Sequence, residues 1–486
     1  MRRMSLRKNR HVFASVMATF SFKTCRNPAA VCVCFVDLVW LFVNHLFNTK
    51  LRRVLLLAGL FSVVTWWSVS RGGIRETGEY SRWHPKDLPR PKTNAQVFLP
   101  LRDQDTFMYS AIANTHQPEN GAINIVITTL DAGRAFLDCC VLLDNNTLFV
   151  TSAEEYFFYH TIDVTFVAKI SEYFSPGVYL ARQYVCSVPD IGQSPGHVTL
   201  KPQGGVCSSD IKDYLPVVYP AVVPGGLAIC AKIAHSGGLD PEKVIEWFEV
   251  QRLLGVDKVL MFNMKNPENL TRVFQYYQEL GVLDLQPYEL PGNPANRTLM
   301  ERDKRTTQFH HDESLAVLEC RQRMAGYSYV MSHDVDEFII PRRDISLKEF
   351  FKEKMKVYQD SAGFYFEAEF FIYNWGPTNP EEDMMVTRFR KATKPHWECT
   401  KYVYLPSRVL SSTTHSIFYH SPYTTYKIDA SEAVLHHYRR CPDDVWPTCF
   451  PETIKDNIMT KFKDLYPRVL KVREATNTKP QWNVNR

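Results

Sequence analysis

At 486 residues, 45% hydrophobic and 22% charged, the chain has ordinary globular composition and room for two or three domains. The formal net charge of +5 is unevenly placed: residues 1–53 hold ten Lys or Arg and one acid, Asp37, a net of +9, so the remainder carries −4. A basic tail on a slightly acidic body argues against a nucleic-acid-binding domain and for a tail held at a membrane surface.

After the tail, Val54 to Ser70 is an uncharged run of 17 residues bearing Trp66 and Trp67, where a spanning helix needs about 20. It is expected to be a signal anchor, because the apolar core is far from the N-terminus and no small-residue cleavage site follows. The more broken apolar stretch Ala29 to Phe47 is a weaker competitor. Basic residues on the N-terminal side place the tail in the cytosol and everything after Ser70 in the lumen. The sequons at Asn145, Asn269 and Asn296 all follow the span. So do nine of the twelve cysteines, an odd number that predicts several disulfides and one thiol left over.

Residues 71–100, polar and proline-bearing, are expected to be an extended stem. From 101 to 224, short alternating or β-branched runs (Ile123 to Leu130, Thr147 to Val150, Asp163 to Ala168, Val178 to Val185) predict a small β-rich module for packing or spacing. Pro220 to Gly226 marks a boundary, and a strand–helix–strand pattern occupies 225–470. Leu227 to Ile233 is a buried strand; Asp240-Pro241 starts a helix that stops at Gly255; Val259 to Phe262 and Leu283 to Tyr288 are strands flanking a helix over Thr271 to Leu280. Such alternation implies an α/β fold with a mainly parallel sheet. A helix over Glu313 to Met324, strands over Gly363 to Ile372 and Lys401 to Val409, and a closing helix through Ile454, Ile458, Phe462 and Leu465 complete the body, leaving 471–486 as a tail.

The chemistry concentrates at Tyr327 to Met331, an apolar strand ending in Ser332-His333-Asp334-Val335-Asp336-Glu337-Phe338. Ligands of open α/β sheets bind beyond the carboxyl ends of the strands. Asp334 and Asp336, two apart on a turn, suit one hard cation, Mn²⁺ or Mg²⁺, able to hold a diphosphate. The plain alternative, a solvated acidic turn, fits poorly with the apolar residues on either side. No G-x-x-x-x-G-K-[ST] loop, post-strand G-x-G-x-x-G or G-x-S-x-G elbow occurs, which removes the main support for P-loop, dinucleotide and serine-hydrolase readings. Paired carboxylates also serve glycosidases, but those flank a sugar about 5 to 9.5 Å apart.

Several stretches resemble glycosyltransferase family 92, secretory-pathway β-galactosyltransferases of GT-A fold: Phe107-Met108-Tyr109-Ser110-Ala111, Val244 to Glu249 with Leu254-Gly255-Val256-Asp257, His333 to Ile339, and Lys401, Pro406, His415 and His437-Tyr438-Arg439. The resemblance implies an inverting, metal-dependent transfer of galactose from UDP-galactose to a glycan acceptor, β-linked on N-glycans, by a single-pass type II protein of the Golgi membrane. It implies no nucleic-acid partner and leaves a homodimer open. Asp334 and Asp336 would hold Mn²⁺ against the diphosphate, and a histidine would complete the site. His437 is the first choice because Ala433-Val434-Leu435 delivers it to a sheet end, with His415 and His436 as alternatives. Glu337, Lys401 and Arg439 are expected to bind substrate. Glu367, Glu369 and Glu398 are candidate bases for the acceptor hydroxyl. The competing reading is a non-catalytic lumenal glycan-binding protein on the same fold.

Overall fold

A computed structural model describes residues 79–82, 97–101, 106–114, 122–131, 136–156, 179–189, 192–235, 239–264, 266–289, 307–441 and 453–479. All belong to one compact unit, Thr77–Arg486. The basic tail, the Val54 to Ser70 run, Asn296 and the expected strand at Asp163 to Ala168 lie outside these residues. Among the described residues no helix is long and apolar enough to cross a membrane.

The β-rich module is a sheet of β1 (Glu79–Arg82), β2 (Leu99–Pro100), β3 (Thr106–Asn114), β4 (Ala122–Asp131), β5 (Leu137–Leu143), β6 (Thr147–Glu155), β7 (Leu180–Pro189), β8 (Pro195–Pro202) and β9 (Leu215–Val218). The expected stem is therefore not wholly a linker, since β1 pairs antiparallel with β6 and β2 with β3. Strands β5 and β8 escaped the sequence reading, although Leu137 to Leu143 is buried almost throughout. Disulfides Cys139–Cys186 and Cys140–Cys207 leave this sheet in opposite directions, as neighbouring residues on a strand must. Asn145 is exposed in the β5–β6 turn.

The second sheet begins with β10 (Val223–His235), which continues through α1 (Pro241–Leu253), β11 (Lys258–Met264), α2 (Glu268–Glu279) and β12 (Leu283–Pro287). Asp240 caps α1 by accepting the Glu242 N–H at 3.0 Å, and Pro241 starts the helix. Gly255 and Gly281 end α1 and α2 with φ of 88° and 71°, a conformation that only glycine adopts freely. Then come α3 (Thr307–Arg323), β13 (Tyr327–Ser332), β14 (Glu337–Pro341), α4 (Leu347–Val357), β15 (Ser361–Ile372), α5 (Met385–Arg388), β16 (Lys391–Thr393), β17 (His396–Tyr404), β18 (Val409–Ser412), β19 (Ile417–Tyr419), β20 (Thr424–Ile428), β21 (Ala433–Arg439), β22 (Thr453–Lys455) and α6 (Leu465–Thr476).

The strand order is β12-β11-β10-β13-β17-β15-β21-β14, with β20 against β15. Strands β10 to β13 run parallel, as the βαβ pattern requires. Beyond β13 the sheet is mixed: β17 is antiparallel to β13 and β15, and β14 is antiparallel to β21. The expectation of a mainly parallel sheet thus describes one half of it, because hairpin-like returns replace helical crossovers in the other.

Helices α1, α2, α4 and α6 share one core with one face of this sheet. On the other face lies α3, whose residues 315–322 are all buried, charged ones included. A helix buried around its whole circumference needs a partner on each side. The second partner is the β-rich module: Ser110 Oγ donates to Glu319 Oε2 at 2.5 Å and Gln183 Nε2 to the Leu318 carbonyl at 3.2 Å. Cys230–Cys320 ties α3 to β10. Cys441 is also disulfide-bonded, and Cys399 is a free thiol.

The C-terminal expectations need correction. Residues 453–455 form β22, paired with β16, and Ile458–Lys461 is a 3₁₀ turn, so the apolar spacing there is not one helix. Helix α6 instead runs through the supposed tail boundary, with Val472 and Arg473 buried and Arg473 Nη2 2.5 Å from Glu242.

Gly363 provides a test of the packing between β15 and β17. A Cβ there would lie 2.5 Å from both the Val403 carbonyl oxygen and Ile417 Cδ1. Gly363→Ala is expected to destabilise the fold by about 1–3 kcal/mol, read as a lower melting temperature; an unchanged melt would show that the strands separate without cost.

Candidate active site

Strand β13 carries the chain from a partly exposed start to three buried residues and then releases it at His333. The turn that follows is closed twice by one residue. The Glu337 N–H donates to the Asp334 carbonyl at 3.1 Å, and Glu337 Oε2 accepts the Asp334 N–H at 2.7 Å. Trp247 Nε1 on α1 donates to the Glu337 carbonyl at 2.9 Å, fixing the turn against the helix.

Three carboxylates this close need counter-charge. Asp334 receives it from Lys232 Nζ at 3.0 Å and Lys401 Nζ at 3.1 Å. Burial alone would push its carboxyl up, but the two ammonium groups hold it well below the usual carboxylate range. Lys401, 1% exposed, also lies 3.3 Å from Glu337 Oε2. Burial opposes its charge, and Asp334 and Glu337 nonetheless hold it above the usual lysine range.

Strand β21 supplies the histidine. Glu337 pairs with His437 across β14 and β21, so both project from one face, and the Tyr438 N–H donates to the Asp336 carbonyl at 2.9 Å. His437 Nε2 is 3.7 Å from Asp336 Oδ2, and its Nδ1 is 3.4 Å from Glu337 Oε1. Asp336, Glu337 and His437 each offer a ligand atom within 4.8 Å of the others. Among the described residues, neither His437 Nδ1 nor Glu337 Oε1 makes a hydrogen bond, although both are buried. These two atoms face each other, which leaves Nε2 on the Asp336 side to meet a cation or substrate.

Asp336 and His437 therefore meet as the sequence anticipates, while Asp334 faces lysines. Glu337 and Lys401, expected to bind substrate, are buried members of the turn, where their charges face one another and Asp334. Arg439, half-buried, lies on the His437 face one pair further along β21. His415 belongs to neither acid–histidine group; its Nδ1 lies 3.0 Å from the Thr400 carbonyl.

His436 and Glu369 project from the opposite face, where they form a separate network. Arg342 Nη2 reaches Glu369 Oε1 and Arg342 Nη1 reaches Asp456 Oδ2, both at 2.5 Å. His436 Nε2 stands 3.5 Å from Glu369 Oε2 and 3.7 Å from Asp456 Oδ2. Glu369, a candidate base, is 0% exposed, paired with Arg342, and on the face of the sheet opposite His437. Glu398 is exposed at the edge of β17, and Glu367 is half-buried on β15. Neither has a described contact with the acidic turn.

Lys232 and Trp247 were not singled out from sequence. A lysine inside the apolar strand Leu227 to Ile233 was the available signal, because a charged residue is rarely buried without a partner.

The sequence model of glycosyltransferase family 92 matches residues 226–473, from β10 to α6 and including every residue of the acidic turn. The chain belongs to glycosyltransferase family 92. A curated relative, the Caenorhabditis elegans beta-1,4-galactosyltransferase galt-1, is 24% identical over 118 residues, covering 24% of this chain and 25% of its own length. The alignment thus spans about a quarter of that relative. Among solved structures, S. aureus TarS 1-349 is similar over 51% of this chain and 71% of its own, at 10% identity and a TM-score of 0.24, too low to support an argument.

For this family 92 glycosyltransferase, the network on the far face predicts a separation of stability from chemistry. Removing one partner of a buried ion pair costs about 3–5 kcal/mol, so Glu369→Gln should melt at a clearly lower temperature yet keep its transfer rate per folded molecule. Loss of turnover without loss of stability would restore Glu369 as the base. Against the upward push of burial, His436, the Ile458 N–H and Arg342 hold the Asp456 carboxyl well below its usual value. Its contribution to stability is complete above about pH 4 and is lost as pH falls through the lowered pKa.

Proposed function

We propose that this glycosyltransferase moves galactose from UDP-galactose to a glycan acceptor, with inversion and dependence on Mn²⁺ or Mg²⁺, and that it forms the β-linkage on N-glycans of glycoproteins. The observation that carries the reading is the convergence of Asp336, Glu337 and His437 at the carboxyl end of β13. The donor sugar and linkage rest on the named activity of the galt-1 relative and on the family resemblance of the motifs.

The donor set suits a hard divalent cation that also accepts imidazole: Asp336 offers an oxygen and His437 Nε2 a nitrogen. Glu337 supports this arrangement from behind. Its Oε1 lies 3.4 Å from Nδ1 and would hold the ring so that Nε2 faces Asp336. When bound, the cation would neutralise charge developing on the departing nucleotide diphosphate. Lys401 holds the turn rigid by bridging Asp334 and Glu337, and Arg439, two residues beyond His437, would meet a phosphate.

The chain's setting follows from the same reading: a type II Golgi membrane protein with its body in the lumen. Three disulfides among the described residues fit an oxidising compartment, and Asn145 and Asn269 are exposed. Peptide N-glycosidase should therefore lower the apparent mass of the cellular protein; an unshifted band would reject the lumenal orientation.

The deciding experiment offers the full chain a panel of UDP-sugars with N-glycan acceptors and Mn²⁺, and identifies products by mass. Transfer of galactose is expected, with loss by orders of magnitude in EDTA, in Asp336→Asn and in His437→Ala. Undiminished turnover in EDTA would end the metal-dependent reading, and transfer of a different sugar would end the donor assignment.

A further inference from the structure

Both oxygens of Asp334 are occupied by ammonium groups: Lys232 Nζ lies 3.0 Å from Oδ1 and 3.2 Å from Oδ2, and Lys401 Nζ lies 3.1 Å from Oδ2. A divalent cation approaching this carboxylate meets two like charges. The two lysines are not equally committed. Lys401 has Glu337 as a second carboxylate, whereas among the described residues the Lys232 ammonium bonds Asp334 alone.

The backbone at Lys232 shows that its placement is enforced. Its φ is 57°, a left-handed conformation unusual for a residue with a side chain, and the β10–β11 register slips between Cys230 and Ile233. Such a bulge re-aims a side chain, here out of strand alternation and onto the acidic turn. Two residues earlier, Cys230 is fixed to α3 by its disulfide. The backbone is therefore held while the four-carbon side chain keeps its own freedom, 5% exposed at the rim of the turn.

We propose that Lys232 is a ligand of the donor diphosphate that pairs with Asp334 while the donor is absent. Its ammonium then competes with the divalent cation for Asp334, and it transfers to the diphosphate when cation and nucleotide bind together, which frees Asp334 to face the cation. The exchange keeps every charge paired: one carboxylate trades an ammonium for the cation, and the ammonium gains phosphate oxygens. This inference rests on the donor-site reading given above.

The test measures binding without turnover, on the full chain and its Lys232→Met and Lys232→Gln variants. Mn²⁺ alone is titrated by electron paramagnetic resonance, and UDP in saturating Mn²⁺ by calorimetry. In both variants Mn²⁺ alone should bind roughly tenfold more tightly, and UDP roughly tenfold more weakly, each about one lost ion pair in size. General damage to the fold would weaken both ligands, so the opposed pair of shifts is diagnostic, and Lys232→Arg should lie near wild type in both. Shifts in the same direction, or a shift in only one ligand, would overturn the proposal while wild-type binding left the donor-site reading standing. A wild-type chain that bound neither Mn²⁺ nor UDP would overturn that reading and this one with it.

Discussion

Crowding three carboxylates at the end of one buried strand is tolerable only if positive charge is buried with them, and the Lys401 ammonium is that charge. It stands between Asp334 and Glu337 with almost no exposure. An isolated ion there would carry a desolvation penalty of several kcal/mol. Its attraction to two carboxylates offsets this, and it explains why β17 runs antiparallel beside β13: that pairing sets Tyr402 opposite Ser332, so the next residue, Lys401, reaches the turn. The mixed half of the sheet is thus the means by which a cation is delivered to the acids of the parallel half.

The pair His436-His437 shows how one strand serves two purposes. Successive residues on β21 point to opposite faces, and their neighbours on β14 and β15 sort with them: Glu337 and Phe370 with His437, Phe338 and Glu369 with His436. On one face the histidine completes an acidic site that faces outward from the strand ends. On the other, His436 joins Arg342, Glu369 and Asp456 in tying the segment around β22 to the sheet. A register slip of one residue would exchange them and place the ion-pair network at the candidate site. Five consecutive buried residues in β14 oppose such a slip.

Much of this was legible in the chain, and the failures have identifiable causes. Helical spacing, the Asp240-Pro241 start and the glycine stops located α1 and α2, and the apolar strand ending in acids located the site. Asp336 with His437 was readable because each follows a strand long enough to fix its direction. Glu369 is less legible: a glutamate in an apolar strand signals a buried partner, and sequence does not say whether that partner is substrate or Arg342. The segment from Ile454 to Leu465 has apolar residues at helical intervals, but tertiary pairing of β22 with β16 overrides that local pattern.

The backbone irregularities beside the acidic turn are what the sequence does not show. Lys232 at φ 57° and Cys399 at φ 51° are both non-glycine residues in the left-handed region, and each lies where its strand's pairing slips, in β10 and β17 respectively. These strands flank β13 on its two sides, so the acidic turn is bracketed by bulges. Left-handed residues with side chains cost of order 1 kcal/mol or more each and persist where the surroundings impose them. Here the surroundings are identifiable: Cys230–Cys320 anchors β10 beside its bulge, and α3, at the other end of that bond, is held between two sheets. The β-rich module, although none of its described residues enters the acidic turn, is for this reason part of what shapes it. Loosening its grip on α3 would relax the strand that aims Lys232, which makes the module's packing a condition of the site's geometry rather than a spacer beside it.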